Sequence, residues 1–337
     1  MSLDSANKAV VITSINPPTT AVQRFAALPG WVEYVVGDKK TPDDWAHPAV
    51  RYIPADAATV MPWSRLATLV PYNHYSRKML GYLRAVEAGA STIVDTDDDN
   101  IPMDGWSVPE FEGAWNTTSA DLGYVNVYSY FTNVNIWPRG LPLPRVVAAD
   151  SRLDEAGCAR ADARIGVWQG LADGDPDVDA IYRLTVGASC RFEKKPPVVM
   201  DAGTWSPFNS QNTAFRTETV PLMYLPSTVT FRFTDILRGI VAQPVLWASG
   251  YRLGFTEATV FQERNEHDLM RDFESEIPCY LDVERAGSAV LASVSSGMSI
   301  EDNLRQAYVA LAEINVVRPA ELDLLSAWLD DLASLKA

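Results

Sequence analysis

The sharpest chemical signal in the chain is Asp95-Thr96-Asp97-Asp98-Asp99, four carboxylates within five positions, directly after the apolar segment Ser91-Thr92-Ile93-Val94. Like charges this close repel one another, and the end of a buried strand gains no stability from them. A divalent cation resolves the conflict, because Mg2+ or Mn2+ takes oxygen ligands and can bridge carboxylates to a diphosphate. Asp95, Asp97 and Asp99 are therefore candidate metal ligands, paired as Asp95/Asp97 or as Asp97/Asp99, with Asp95 counted for the nucleotide too. Aspartate is also common in solvated loops and at helix N-caps, but the preceding strand favours metal-diphosphate binding. Calcium in an EF-hand is excluded, since the glycine and distal glutamate spacing is missing.

His267, within Arg264-Asn265-Glu266-His267-Asp268, could return to complete a metal site, or could equally start a surface helix. The basic groups matter because they are few. Arg77-Lys78 opens a helical pattern ahead of the acidic strand, where two cations could meet a nucleotide's phosphate or base, or simply face solvent. Lys39-Lys40 is similarly open, and Asp38, closing a short apolar run, could accept hydrogen bonds from a ribose or base. The chain has no Gly-x-Ser-x-Gly elbow, phosphate-cradling G-x-x-x-x-G-K-[ST] loop or G-x-G-x-x-G fingerprint. Serine hydrolases, P-loop ATPases and dinucleotide oxidoreductases lose weight accordingly, and the lack of paired histidines does the same for zinc hydrolases.

These residues need elements to position them. Ala9 to Ile15 reads as a buried strand, followed by a helix from about Thr20 to Leu28 that Pro29-Gly30 stops. Trp31 to Val36 is a second strand, and Tyr75 to Ala88 a helix with Met79, Tyr82, Leu83 and Val86 on one face. Ser91 to Val94 is a third strand running into the acidic cluster. The alternation predicts an α/β fold with an open, mixed, mostly parallel sheet flanked by helices, whose ligands sit at the carboxyl ends of strands. Trp106 to Arg216 reads as loop-rich, Val229 to Phe233 as a strand and Asp235 to Leu246 as a helix. Leucine-rich stripes at 304–314 and 322–332 predict two amphipathic C-terminal helices, with Pro319 starting the second. The expected organisation is a main domain over 1–285 and a helical appendage over 286–337.

Composition bounds the partners. The 337 residues carry a net charge of −15, which disfavours nucleic acid or an anionic membrane as a bulk partner. With 47% hydrophobic and 21% charged residues the chain is an ordinary globular protein. Its three cysteines are scattered, which excludes a disulfide scaffold and fits a reducing compartment. Met1 to Lys8 is polar, and no apolar run reaches the about eighteen residues a membrane span needs. The expectation is a soluble, cytoplasmic protein without a transmembrane segment.

Taken together, several blocks resemble the STELLO-like family. They are Thr13-Ser14-Ile15-Asn16, Gly37-Asp38-Lys39-Lys40-Thr41-Pro42, Tyr75 to Tyr82, the acidic run, Trp137-Pro138-Arg139-Gly140, Gln169 to Asp173, Asp175 to Ala180, Pro207 to Thr213 and Asp235 to Gly239. The resemblance implies a glycosyltransferase-like protein of GT-A fold that binds a nucleotide sugar through a metal. Eukaryotic members carry an N-terminal anchor and reside in the Golgi. A weaker resemblance links the chain to the reversibly glycosylated polypeptides, which include UDP-arabinopyranose mutases. There, Asp97 to Asp99, Arg139 before Gly140, Pro176 to Ala180 and Asp235 take the places of that family's acidic run, self-glycosylated arginine and later acidic segments.

These resemblances imply roles. Asn16, Asp38, Lys39, Arg77 and Lys78 become nucleotide-binding candidates, and Asp95, Asp97, Asp99 and His267 metal candidates for Mn2+ or Mg2+. Asp235 is the first choice of base for deprotonating an acceptor hydroxyl, with Asp177 and Asp179 as competitors. Trp205, Phe208 and Asn209 could line an acceptor pocket or belong to the core. The leading expectation is a hexosyl- or pentosyltransferase using a UDP-sugar donor and a saccharide or other hydroxyl acceptor. A UDP-sugar mutase or self-glycosylating protein acting through Arg139 is the second, and a non-catalytic nucleotide-sugar binder or scaffold the third.

Overall fold

The computed structural model describes residues 8–263 and 268–336. Its strands are β1 (Lys8–Thr13), β2 (Trp31–Val36), β3 (Val50–Ile53), β4 (Thr92–Thr96), β5 (Asn100–Pro102), β6 (Glu112–Thr118), β7 (Gly123–Tyr124), β8 (Cys158–Asp173), β9 (Val198–Met200), β10 (Thr204–Trp205), β11 (Asn212–Arg216) and β12 (Arg252–Gln262). Among the described residues, ten of them make one sheet in the order β3-β2-β1-β4-β11-β8-β6-β9-β12-β5, with β8 also paired to β12. β3, β2, β1 and β4 run parallel, β11 is antiparallel to both β4 and β8, and β12 is parallel to β8. This is the open, mixed, helix-flanked α/β sheet of GT-A-like folds that the sequence predicts.

The parallel strands are apolar on both faces, as strands covered by helices on each side must be. Ala9 and Val11 of β1 point into the larger core, and Val10 and Ile12 into the smaller one with Phe25, Trp106 and Trp168. The helix Lys78–Glu87 lies tightly on β1, where a Cβ on Gly81 would sit 2.4 Å from Val11 Cγ1.

The C-terminal helices Leu269–Ser293, Ile300–Glu313 and Glu321–Lys336 join the larger core. Trp328 donates from its indole to the Pro221 carbonyl at 3.0 Å. The Asp331 carboxylate accepts from Ser64 Oγ at 2.6 Å and from the Arg65 and Leu66 amides at 3.0 and 2.9 Å. The boundary expected at 285 falls inside the long helix Leu269–Ser293, because that helix packs on the helix Thr234–Ala248 of the main body. Among the described residues, no helix is long and apolar enough to cross a membrane.

Three other expectations change. The segment Val229 to Phe233 is not a strand but a turn ending in a 3-10 helix, Phe231–Phe233, held by Ser275 instead of by a neighbouring ladder. The middle is less loop-rich than expected, since it holds the long strand β8. And β4 runs two residues further than Val94, which takes Asp95 into the sheet.

One buried group has no visible compensation. Glu33 of β2 is 1% exposed, faces the apolar Val10 and Val50 across the ladder, and finds no hydrogen-bond partner among the described residues. Burial pushes its pKa up to about 9. Below the unfolded pKa, near 4.5, both states hold the proton and there is no cost. As pH climbs, the unfolded chain releases the proton first, so stability falls by about 1.4 kcal/mol per pH unit, on the order of 3 kcal/mol by pH 7. Glu33→Gln should remove this slope. Its stability relative to wild type should be higher at pH 8 than at pH 5 in denaturant titrations, and parallel pH profiles would refute the assignment.

Candidate active site

The chain turns sharply after β1. Thr41 Oγ1 donates to the Ser14 carbonyl at 2.7 Å and the Trp45 indole donates to the Asn16 carbonyl at 2.9 Å, which fixes this loop against the segment after β2. Asp38, just past β2, accepts from the Asn73 amide at 2.6 Å and pairs with Arg77 Nε at 3.5 Å. Arg77 also donates to the Ala55 carbonyl at 2.6 Å. Asn16, Asp38 and Arg77 thus form one wall at the carboxyl ends of β1 and β2.

The acidic run divides its labour. Asp95 is fully buried and sits between two cations, 2.8 Å from Lys78 Nζ and 2.5 Å from Arg238 Nη1. Burial alone would raise its pKa, but Lys78 and Arg238 outweigh it and hold the carboxyl below its usual value. Both oxygens are committed, so Asp95 is a structural anion and does not reach the cavity as a ligand. Lys78 is equally enclosed, reaching Asp97 at 2.7 Å and the Tyr75 hydroxyl at 2.9 Å. Asp98 is taken by the first loop, its Oδ2 accepting from Ser14 Oγ at 2.5 Å and Asn16 Nδ2 at 3.0 Å.

Asp97 and Asp99 remain. Asp97 is partly exposed and accepts from the Tyr75 hydroxyl at 2.5 Å. Asp99 Oδ2 accepts from Gln262 at 3.1 Å, while its buried Oδ1 has no hydrogen-bond partner among the described residues. Burial, then the charge of Asp97, pushes the Asp99 pKa up to about 7. A carboxylate in this state lacks a counter-charge, and a cation would supply one. Among the described residues no three His, Cys, Asp or Glu side chains converge on a metal position, so two carboxylates are what the described residues offer. His267 lies outside the described residues.

Opposite stands a second charged group. Arg139 grips Asp177 with Nε and Nη2, both at 2.8 Å, and Asp235 with Nη1 and Nη2 at 3.1 and 3.0 Å. Asn209 donates to Asp177 at 2.8 Å and the Ser210 amide to Asp235 at 3.3 Å. The turn carrying Asn209 and Ser210 lies against the helix Thr234–Ala248 because Gly239 has no side chain; a Cβ there would meet the Phe208 carbonyl at 2.5 Å. Arg238, from the same helix, donates to the Asn209 carbonyl at 2.5 Å and so links this turn to Asp95.

These groups surround or support one cavity of about 460 Å³. Asn16, Asp38, Arg77, Asp97, Asp99, Arg139, Asp177, Asn209 and Asp235 line it, whereas Lys39, Lys78, Asp95 and Asp179 do not. Lys39 instead lies over the Tyr72 ring at 4.1 Å. Asp179 caps the helix Ala180–Thr185, accepting from the Tyr182 amide at 2.7 Å and the Trp137 indole at 2.8 Å. Trp205 and Phe208 belong to the core. The cavity adds residues that the sequence reading passed over, among them Tyr75, Arg183, Phe231, Arg232 and Gln262. Arg232 follows closely before Asp235 in the chain, but Gln262 and Arg183 carried no spacing that pointed to a site.

The family model described as STELLO glycosyltransferases matches residues 232–337. Two curated proteins of Arabidopsis thaliana are similar to this chain: "Probable glycosyltransferase STELLO1", 28% identical over 97% of this chain and 44% of its own length, and "Probable glycosyltransferase STELLO2", 26% identical over 96% and 44%. These matches bear out the STELLO-like resemblance. The chain spans less than half the length of these relatives.

The assignment of Asp95 as a structural ion has a measurable consequence. Asp95→Asn leaves Arg238 buried without its carboxylate partner and Lys78 with Asp97 alone, and should cost about 3–5 kcal/mol in denaturant unfolding. Asp179→Ala, which removes a helix cap, should cost only about 1–2 kcal/mol. Equal and small losses would show that Asp95 does not carry the core of the site.

Proposed function

We propose that this chain is a glycosyltransferase that takes a nucleotide-diphosphate sugar, with a UDP-sugar as donor and Mn2+ or Mg2+ held on the acidic run. The observation that carries the reading is the meeting, in one cavity, of the β1–β2 wall, Asp97 with Asp99, and the Arg139–Asp177–Asp235 group. The family description and the printed names of the two plant relatives support the glycosyltransferase part of this reading.

Asn16, Asp38 and Arg77 would receive the nucleoside. Asp97 and Asp99 would hold the cation, leaving its other oxygen positions to water and the diphosphate, as Mg2+ commonly does. Bound there, the cation would offset the charge that builds on the departing diphosphate. Asp235 is the base. As the acceptor oxygen bonds to the anomeric carbon, the bond from that carbon to the diphosphate breaks and its electron pair leaves with the diphosphate. The hydroxyl proton passes to an Asp235 oxygen. Arg139 keeps that carboxylate aimed, while Asp177 and the Arg232 carbonyl fix Arg139 in turn.

Self-glycosylation would make Arg139 the acceptor. All five of its N–H groups are already donated to Asp177, Asp235 and the Arg232 carbonyl. Burial would lower its pKa, yet Asp177 and Asp235 hold it well above the ordinary arginine value. A guanidinium so bound has no free electron pair for attack, which favours transfer to an outside hydroxyl.

UDP with Mn2+ should raise the melting temperature by several degrees, and Asp97→Asn or Asp99→Asn should abolish the rise. With radiolabelled UDP-sugars and a panel of saccharides, Asp235→Asn should slow transfer by about 100-fold or more. A protein that ignores UDP and metal, or whose response is indifferent to Asp97 and Asp99, would overturn the reading. Label left on the protein and lost in Arg139→Ala would replace it with self-glycosylation.

A further inference from the structure

Phe231 is the one large aromatic ring among the described residues that is mostly exposed, apart from Tyr72 beneath its two cations: its exposure is 56%. Aliphatic side chains such as Val147 and Leu281 are exposed as well, but scattered exposed apolar groups are normal. What sets Phe231 apart is its place inside the lining of the cavity, beside Arg232 and Asp235.

Its turn is held firmly. Thr230 Oγ1 donates to the Ser275 carbonyl at 2.6 Å, the Arg232 amide to Ser275 Oγ at 3.3 Å and the Phe233 amide to the Thr230 carbonyl at 2.9 Å. Phe233 is buried in the core. Arg232 is anchored through Nε and Nη2 to Glu276 Oε1, at 2.9 and 2.7 Å, a carboxylate that is itself fully buried. The Tyr75 ring packs against Phe231 in a T-shaped contact, with centroids 5.5 Å apart. A firmly held aromatic ring thus lines the cavity with more than half of its surface exposed. Arg232 Nη1 has no acceptor among the described residues and stands as a planar donor next to it.

We infer that Phe231 is the platform on which a pyranose ring of the acceptor stacks, so that the acceptor is a saccharide; this rests on the glycosyltransferase reading above. A pyranose offers C–H groups on its face and hydroxyls around its edge. The face matches an open aromatic ring, and the edge matches Arg232 Nη1 and Asp235, which border the same cavity. A nucleobase is the competing occupant of such a ring. The chain argues against it, because Asn16 and Asp38 come from the segments that follow β1 and β2, whereas Phe231 belongs to the turn that leads into Asp235. Phe231 sits where the wall carrying Tyr75 and Asp97 meets the wall carrying Asp235, the junction an attacking hydroxyl must reach.

Saturation-transfer NMR with methyl β-glucopyranoside, methyl β-galactopyranoside and methyl β-xylopyranoside, each with and without UDP and Mn2+, tests this. At least one glycoside should receive saturation at its ring C–H protons. Binding should weaken about tenfold in Phe231→Ala and Phe231→Leu and persist in Phe231→Trp, since an aromatic contact and not mere apolar bulk is at stake. Melting curves of the variants report the fold separately, and the tryptophan variant keeps the test decisive if the alanine one is destabilised. No transfer to any of the three glycosides in a protein that binds UDP would overturn the inference, and so would transfer that Phe231→Ala leaves unchanged. Loss of UDP binding in Phe231→Ala with glycoside contact intact would make the ring a nucleobase platform instead. Phe231-dependent glycoside contact in a protein that ignores UDP would uphold the inference and remove the nucleotide-sugar reading.

Discussion

The site depends on one buried anion. Asp95 joins the helix that begins at Lys78, the strand β4, the helix that holds Arg238 and, through Arg238, the turn at Asn209. Taking these charges out of water is expensive, and an apolar packing of the same volume would often be as stable. What an apolar packing would not supply is direction. Lys78 has three donors and spends them on Asp95, Asp97 and the Tyr75 hydroxyl, so the same cation that neutralises Asp95 also aims Asp97 at the cavity. Arg238 uses its fork to set the backbone beside Asp177 and Asp235. Both walls of the cavity are therefore registered against a single carboxylate.

That arrangement explains why a dense run of aspartates is tolerated. Each carboxylate has a different partner: two cations for Asp95, a cation and a phenol for Asp97, a hydroxyl and an amide for Asp98. Asp99 alone is left with one weak donor and an empty oxygen, and its raised pKa is the residual strain of the run. Acidity that reads as uniform in the sequence is, in the fold, a gradient from fully compensated to uncompensated over five residues. The uncompensated end faces the cavity.

The parallel half of the sheet was legible because strands covered on both faces are written as apolar runs, as in Ala9 to Ile12 and, apart from Glu33, Trp31 to Val36. β8 was not, since its first half is exposed and polar and Gly166 and Gly170 interrupt the rest. β12 was missed for a similar reason, with Glu257 and Thr259 breaking its pattern. At the site, residue type and strand context pointed to Asp97, Asp99 and Asp38, and the family resemblance to Asp177 and Asp235; all five border the cavity. Neither guide was enough for Asp95 or Asp179. The role of Asp95 is set by Arg238, 143 positions away, and that of Asp179 by the helix it starts, so neighbouring residues carry no mark of it.

Residues 286–337 read as an appendage in the sequence, and in the fold they belong to a C-terminal buttress. Within the segment matched by the family model, Arg232, Asp235 and Gln262 line the cavity, and much of the remainder is helix that holds its walls. Glu276 anchors Arg232 and also accepts from the Ala180 amide at 2.7 Å, close to Asp177 in the chain. The Glu321 carboxylate accepts from the Ser227 and Thr228 amides, just ahead of the Phe231 turn. Asp331 secures the segment at Ser64 to Leu66, and Trp328 packs edge-on against Tyr82 of the helix that carries Lys78. Both walls are thus backed by the same helices. A site built from loops gains precision only when such elements lock the side chains beneath it, and here those elements come last in the chain.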